Sequence, residues 1–250
     1  MVKKTIALIL LLCFPCWTFA GIDFDGTDDY VTVADDASLD VTTISISVWI
    51  FWDDDGDVNE GIVSHANNSL GSNGWWFSIS GSSANDIQFT FADTDFFSSG
   101  AISTGEWTHL AVTYDGSNVR FYKNGNADGV TASSASITNS ADTFKIGREY
   151  NVYGTTAYLN GQITDLAVWS AVLTAGEIEL LADSKIKRMP LQIQPTNLNG
   201  YWPMNDEPDG SSADGNTFID QSGNGNNGTG DDGANNTGLT AKAEEVLSYQ

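Results

Sequence analysis

The chain has 250 residues, with 10 Lys and Arg against 33 Asp and Glu, for a formal net charge of −23. That excess repels phosphates and anionic lipid, so nucleic acid and acidic membrane surfaces are excluded as partners, while cations and a soluble acidic surface are favoured. Both cysteines, Cys13 and Cys16, lie near the N-terminus, so no disulfide framework holds the rest, and the length fits one large sandwich core.

Lys3 and Lys4 precede an apolar run over residues 6–14, and Thr18-Phe19-Ala20 offers a cleavage site before Gly21. Residues 1–20 therefore read as a signal peptide, and the mature chain is expected to be secreted, cell-surface or periplasmic. The run is too short for a secure membrane span, and no later segment is long and uncharged enough to make one.

Residues 22–25 and 30–33 alternate as short strands around a turn at Gly26-Thr27-Asp28-Asp29. Ile44, Ile46, Val48, Ile50 and Trp52 then share one face of a longer strand, followed by an acidic run over residues 53–60. Residues 62–65, 75–80 and 87–91 read as further strands, and the Ser/Gly-rich stretch between Phe91 and Trp107 as a long connection. Leu110, Val112 and Tyr114 alternate with His109, Ala111 and Thr113, and Asp115-Gly116 supplies a turn into residues 119–123. Strands are expected again over residues 143–147 and 162–169.

Thr174 followed by Glu177 has the spacing of a capping box, and Ile178, Leu181 and Ala182 form an apolar stripe, so one short helix is expected near residues 174–183. The basic run at residues 185–188 is expected to offset the helix's carboxylate end or to touch an acidic surface. Residues 198–202 can form a strand. The Gly/Asn/Asp-rich region after it, within an extension over residues 199–250, reads as turns over a surface that can supply a closing strand; residues 241–249 fit a short helix or a β-arm.

The segments FDGTDDYV (24–31), ISVWI (46–50), WTHLAVTYDGSNVRFYKNG (107–125), KIGR (145–148) and LNGQITDLAVWSAVLTAGEI (159–178) resemble the laminin-G-like, concanavalin A-like lectin/glucanase jelly-roll family, in order and spacing. The resemblance implies an all-β fold, a two-sheet antiparallel jelly-roll sandwich over residues 21–198. It departs at Ala167, where related domains commonly carry a basic side chain.

A calcium ion can sit at the sandwich edge in that family, and the turn with Asp28 and Asp29 is the matching place. Asp25, Asp28, Asp29 and Asp165 are the primary candidate ligands, because calcium takes several oxygen donors from carboxylates and carbonyls; the alternative is that these aspartates cap turns. Asp53, Asp55, Asp57 and Glu60 are secondary candidates, in a run that lacks the complete EF-hand spacing. Trp76, Tyr150, Tyr153 and Tyr158 could stack on sugar faces while Asn and Asp orient hydroxyls, or pack against the sandwich rim. His65 and His109 are the only histidines, no nucleophile elbow is present, and Glu177 and Glu179 diverge on the helix, so no catalytic residues are assigned. The expected role is a secreted, noncatalytic, calcium-stabilised module for an extracellular polysaccharide or glycan. The alternatives are a structural or adhesion protein that contacts a surface protein and, more remotely, a secreted glycoside hydrolase.

Overall fold

The computed structural model describes residues 18–53, 56, 59–66, 73–81, 85–150, 156–184, 188–233 and 238–246. Its strands, in chain order, are β1 (Thr18–Asp25), β2 (Tyr30–Val33), β3 (Ile44–Trp52), β4 (Asn59–Ala66), β5 (Gly74–Ser80), β6 (Asp86–Phe91), β7 (Thr94–Phe97), β8 (Trp107–Tyr114) and β9 (Asn118–Lys123). There follow β10 (Asn126–Ala132), β11 (Phe144–Ile146), β12 (Arg148–Tyr150), β13 (Thr156–Tyr158), β14 (Asn160–Trp169), helix α1 (Ala175–Ala182), β15 (Leu198–Trp202), β16 (Thr217–Phe218), β17 (Gly228–Asp231) and β18 (Thr240–Val246).

Sixteen of these strands form two antiparallel sheets of eight, and β12 pairs with β13 apart from them. The first runs β10-β9-β8-β3-β14-β1-β18, with β15 also on β14; the second runs β16-β17-β2-β11-β4-β5-β6-β7. Ile44, Ile46, Val48 and Ile50 of β3 point inward against Phe77, Ile79, Phe89 and Phe91 of the facing sheet, in one continuous core. Each side chain so buried stabilises the fold by about 1.5–3 kcal/mol.

The first sheet is also covered on its outer face. Thr174 Oγ1 accepts from the Glu177 N–H at 3.3 Å and Glu177 Oε2 accepts from the Thr174 N–H at 2.8 Å, closing the expected capping box at the start of α1. Ile178 and Leu181 then pack with Ala111, Tyr122, Ala167 and Trp169. Ala167 is fully buried there, so a long basic side chain at that position would have to displace this cluster.

The connection expected between Phe91 and Trp107 carries β7 instead. Ala92 and Asp93 both adopt positive φ, at 50° and 57°, and turn β6 directly into β7, where Phe96 stacks on Phe91 at 5.0 Å. The stretch around residues 148–158, read as loop-like, holds the β12–β13 hairpin. The C-terminal region pairs with both sheets: β15 lies on β14, β17 on β2 and β18 on β1.

Removing residues 199–250 strips β15 to β18 and leaves the edges of β1, β2 and part of β14 unpaired. Circular-dichroism melting of residues 21–198 beside residues 21–250 is expected to show loss of a cooperative transition in the shorter chain.

Candidate functional site

The turn from β1 to β2 gathers three carboxylates. One oxygen each from Asp25, Asp28 and Asp29 lies within 4.8 Å of the others. Asp29 Oδ2 accepts from the Asp25 N–H at 2.8 Å, and Asp25 Oδ1 accepts from the Thr27 N–H at 2.8 Å, so the turn itself aims the acids at one another. Asp29 is fully buried, and its Oδ1 has no hydrogen-bond partner.

The second wall of this cluster comes from the C-terminal region. A Cβ on Gly238 would collide with the Asp29 carboxylate, and one on Gly233 with that of Asp28, so the approach of the two segments requires glycine at both positions. Burial pushes the Asp29 carboxyl up to about 7, opposed by the Asp25 N–H and reinforced by the negative charges of Asp25, Asp28 and Asp232. A shielded set of oxygen donors with an orphaned carboxylate atom fits a hard divalent cation such as calcium, which takes six to eight oxygens in loose geometry.

The next residue, Tyr30, starts a second group on the outer face of β2. Its hydroxyl donates to Asp231 Oδ2 at 2.7 Å across the β2–β17 pair, and burial with that contact pushes the phenol up to about 12. The Arg148 guanidinium lies 4.8 Å from the Tyr30 ring centre and 5.3 Å from that of Tyr158, and the two rings are 6.3 Å apart. All three side chains are half-buried. Tyr30 follows Asp29 and Asp231 precedes Asp232, so the aromatic–guanidinium stack begins at the residue next to the acidic turn.

The β12–β13 hairpin that carries Arg148 and Tyr158 lies across the outer face of β4 and β5. The Gly147 N–H donates to Ile62 O at 2.8 Å, and Ser64 Oγ donates to Arg148 O at 2.8 Å. A Cβ on Gly61 would strike the Glu149 backbone, so this close crossing depends on the absence of a side chain there. Beneath the hairpin, Trp76 Nε1 and Glu149 Oε2 are shielded from solvent without hydrogen-bond partners, and the Ser78 hydroxyl faces the Glu149 carboxyl. Burial pushes the Glu149 carboxyl up to about 8, with Ser78 opposing and Asp95 reinforcing the shift.

Of the residues expected to face a ligand, Tyr158 is in the stack, whereas Trp76 is only 2 % exposed and offers no stacking surface, because the hairpin covers it. The side chain of Tyr150 and all of Tyr153 lie outside the described residues. Asp25, Asp28 and Asp29 come together; Asp165 does not join them. It sits at a bulge in β14 with φ 51°, where the neighbouring strand changes from β1 to β15, and it accepts from the Tyr201 hydroxyl at 2.7 Å.

Glu60 is likewise a brace and no open ligand: Oε1 accepts from Trp52 Nε1 and Oε2 from the Asn160 N–H, each at 2.8 Å. Asp53 is exposed, its backbone bonded to Asn160, while Asp55 and Asp57 lie outside the described residues. Tyr30, Arg148, Glu149, Asp231 and Asp232 were not singled out from the sequence as site residues. The Asp231-Asp232 doublet was the available signal, hidden in a tail that reads as turns.

The family model for the concanavalin A-like lectin/glucanases superfamily, Laminin_G_3, matches residues 25–179, and the chain belongs to this family. A candidate carbohydrate-binding protein from Bacteroides ovatus is similar in fold, with 18% identity and a TM-score of 0.65, over 90% of this chain and 60% of that one. The Ruminococcus gnavus IT-sialidase CBM40 bound to alpha2,3 sialyllactose is 16% identical with a TM-score of 0.53, over 65% of this chain and 96% of that one. No curated protein matches the chain. Among the described residues, no helix is long and apolar enough to cross a membrane.

Glu149 keeps its proton in the fold up to about 8, against 4.5 for an ordinary glutamate. The folded state therefore holds an extra proton between those values, and the stability present below pH 4.5 is lost as pH rises through about 8. Glu149→Gln is expected to flatten that decline and raise the thermal midpoint by several degrees at pH 8 to 9, with little change at pH 4, as read by calorimetry across pH.

Proposed function

We propose that this chain is a secreted, noncatalytic carbohydrate-binding module whose ligand face is the rim formed by Tyr30, Arg148 and Tyr158 beside a calcium ion held by Asp25, Asp28 and Asp29. The observation that carries this reading is a half-buried aromatic–guanidinium stack that begins at Tyr30, the residue directly after an oxygen-only cluster of three carboxylates. Aromatic faces take the C–H surface of a sugar, and adjacent carboxylates, a guanidinium and a cation fix its hydroxyls. The fold shared with a candidate carbohydrate-binding protein and with a sialyllactose-bound module supports this assignment.

In this reading the cation has two effects. It satisfies the orphaned Asp29 oxygen and relieves the repulsion among three close carboxylates, and it fixes the β1–β2 turn on which Tyr30 stands. Glu149, the most strongly perturbed carboxyl beneath the stack, is sealed under the hairpin and out of reach of a glycosidic bond, which favours binding over hydrolysis.

Chelator-stripped protein is expected to gain thermal stability on addition of calcium, by about 2.7 kcal/mol at a hundredfold excess over the dissociation constant, and less with magnesium. Without calcium, the Asp29 carboxyl, raised from 3.8 to about 7, should make stability fall as pH rises between those values, and calcium should remove the decline. Joint replacement Asp28→Asn and Asp29→Asn should abolish the calcium-dependent gain while leaving the β-rich circular-dichroism spectrum. On a glycan array the wild type is expected to bind in a calcium-dependent manner and Tyr158→Ala to lose signal. A folded, calcium-loaded protein that binds no glycan would overturn the assignment.

A further inference from the structure

At the other end of β2 from the acidic rim, the chain builds a second cluster of a different chemical kind. A short 3-10 turn over Ala37–Leu39 is capped by Asp36, whose Oδ1 accepts from the Ser38 N–H at 2.8 Å, and it is anchored by Leu39, which is buried in the core. The turn holds Asp35 before it and Asp40 after it. Facing it from β4 is His65, only 1 % exposed, its ring edge-on to Trp75 and tilted against Phe144.

Those aromatic contacts fix the imidazole with Nε2 directed at the turn. Nε2 lies 3.4 Å from Asp35 Oδ1 and 3.1 Å from the Asp142 carbonyl oxygen. One ligand atom each from Asp35, Asp40 and His65 falls within 4.8 Å of the others. Independently of that spacing, Asp40 Oδ1 is shielded from solvent and has no hydrogen-bond partner, so the cluster contains a desolvated oxygen that nothing in the fold answers.

We propose that Asp35, Asp40 and His65 form a binding site for a first-row divalent transition ion such as Zn2+ or Mn2+. The donor set decides the class. Calcium and magnesium prefer oxygen throughout, whereas one imidazole nitrogen with two carboxylates suits zinc or manganese, and the Asp142 carbonyl stands beside the nitrogen as a further oxygen. Binding uses the lone pair of Nε2, so the nitrogen exchanges its contact with the Asp142 carbonyl for the metal. The ion would tie the turn after β2 to β4 across the open end of the sandwich. It would act independently of whatever the Asp25–Asp29 rim binds.

The test uses the full untagged chain after chelator treatment, held in saturating calcium so that the oxygen-only rim is blocked, and titrated calorimetrically with Zn2+ and with Mn2+. One equivalent of at least one of these ions is expected to bind, with the same stoichiometry in the Asp29→Asn protein. Asp40→Asn and Asp35→Asn, both on a surface turn, should weaken binding by roughly tenfold or more, and His65→Gln should do the same. Electron spin-echo spectroscopy on the Mn2+ form should register one coordinated imidazole nitrogen. Failure of the calcium-saturated wild type to bind either ion overturns the proposal. So does binding that survives unchanged in both aspartate variants, or that disappears only in Asp29→Asn.

Discussion

The backbone pairing of the last strands onto the first is the constraint on which the rest of the molecule depends. β2 lies between β11 and β17, and β1 between β14 and β18, so both N-terminal strands gain interior positions only when the C-terminal region arrives. The same pairing sets Asp231 opposite Tyr30 and brings Gly233 and Gly238 against Asp28 and Asp29. A rim of carboxylates and an aromatic stack, drawn from residues some two hundred positions apart, is therefore a consequence of closing the two sheets and needs no separate folding event.

The charge of the chain takes on structural meaning at that closure. A net charge of −23 spread over a surface is screened by salt within about 8–10 Å. Three carboxylates packed within 4.8 Å of one another, one of them buried, are screened far less. The fold thus concentrates repulsion in one place while leaving other acids individually satisfied, such as Asp115, whose Oδ2 accepts from Arg120 at 2.6 Å, and Asp36 at its cap. The contrast separates an acidic surface adapted to solvent from an acidic site.

Legibility in the sequence followed side-chain alternation. β3, β5, β6 and β8 announce themselves because their inward residues are Ile, Val, Leu, Phe or Trp at every second position. β10 carries no such signal, because both its faces are exposed at the sheet edge, and β17 is Gly-Thr-Gly-Asp, which has no alternating apolar side chains. The capping box of α1 is local and was readable; the β12–β13 hairpin is not local in its cause, since it rests on Gly61 in a distant strand. The same division runs through the site. Asp25, Asp28 and Asp29 share one turn and can be grouped from the sequence, whereas Asp165 stands in a distant strand, where a bulge in β14 carries it to Tyr201.

Among the described residues, Asp29 and Glu149 are both forced out of water and both pushed well up, and they are answered differently. Glu149 is enclosed by the hairpin backbone above Gly61, with Ser78 and Trp76 beside it, so a proton is the only small cation that can reach its oxygen without displacing a strand. Asp29 is equally buried, but its orphaned oxygen belongs to a cluster in which Asp25 remains exposed and Asp28 half-buried, so the group is open to an ion on one side. Desolvation raises both carboxyls, but only the Asp29 cluster keeps an accessible side. By that criterion the rim is more open to its surroundings than the buried patch beneath the hairpin.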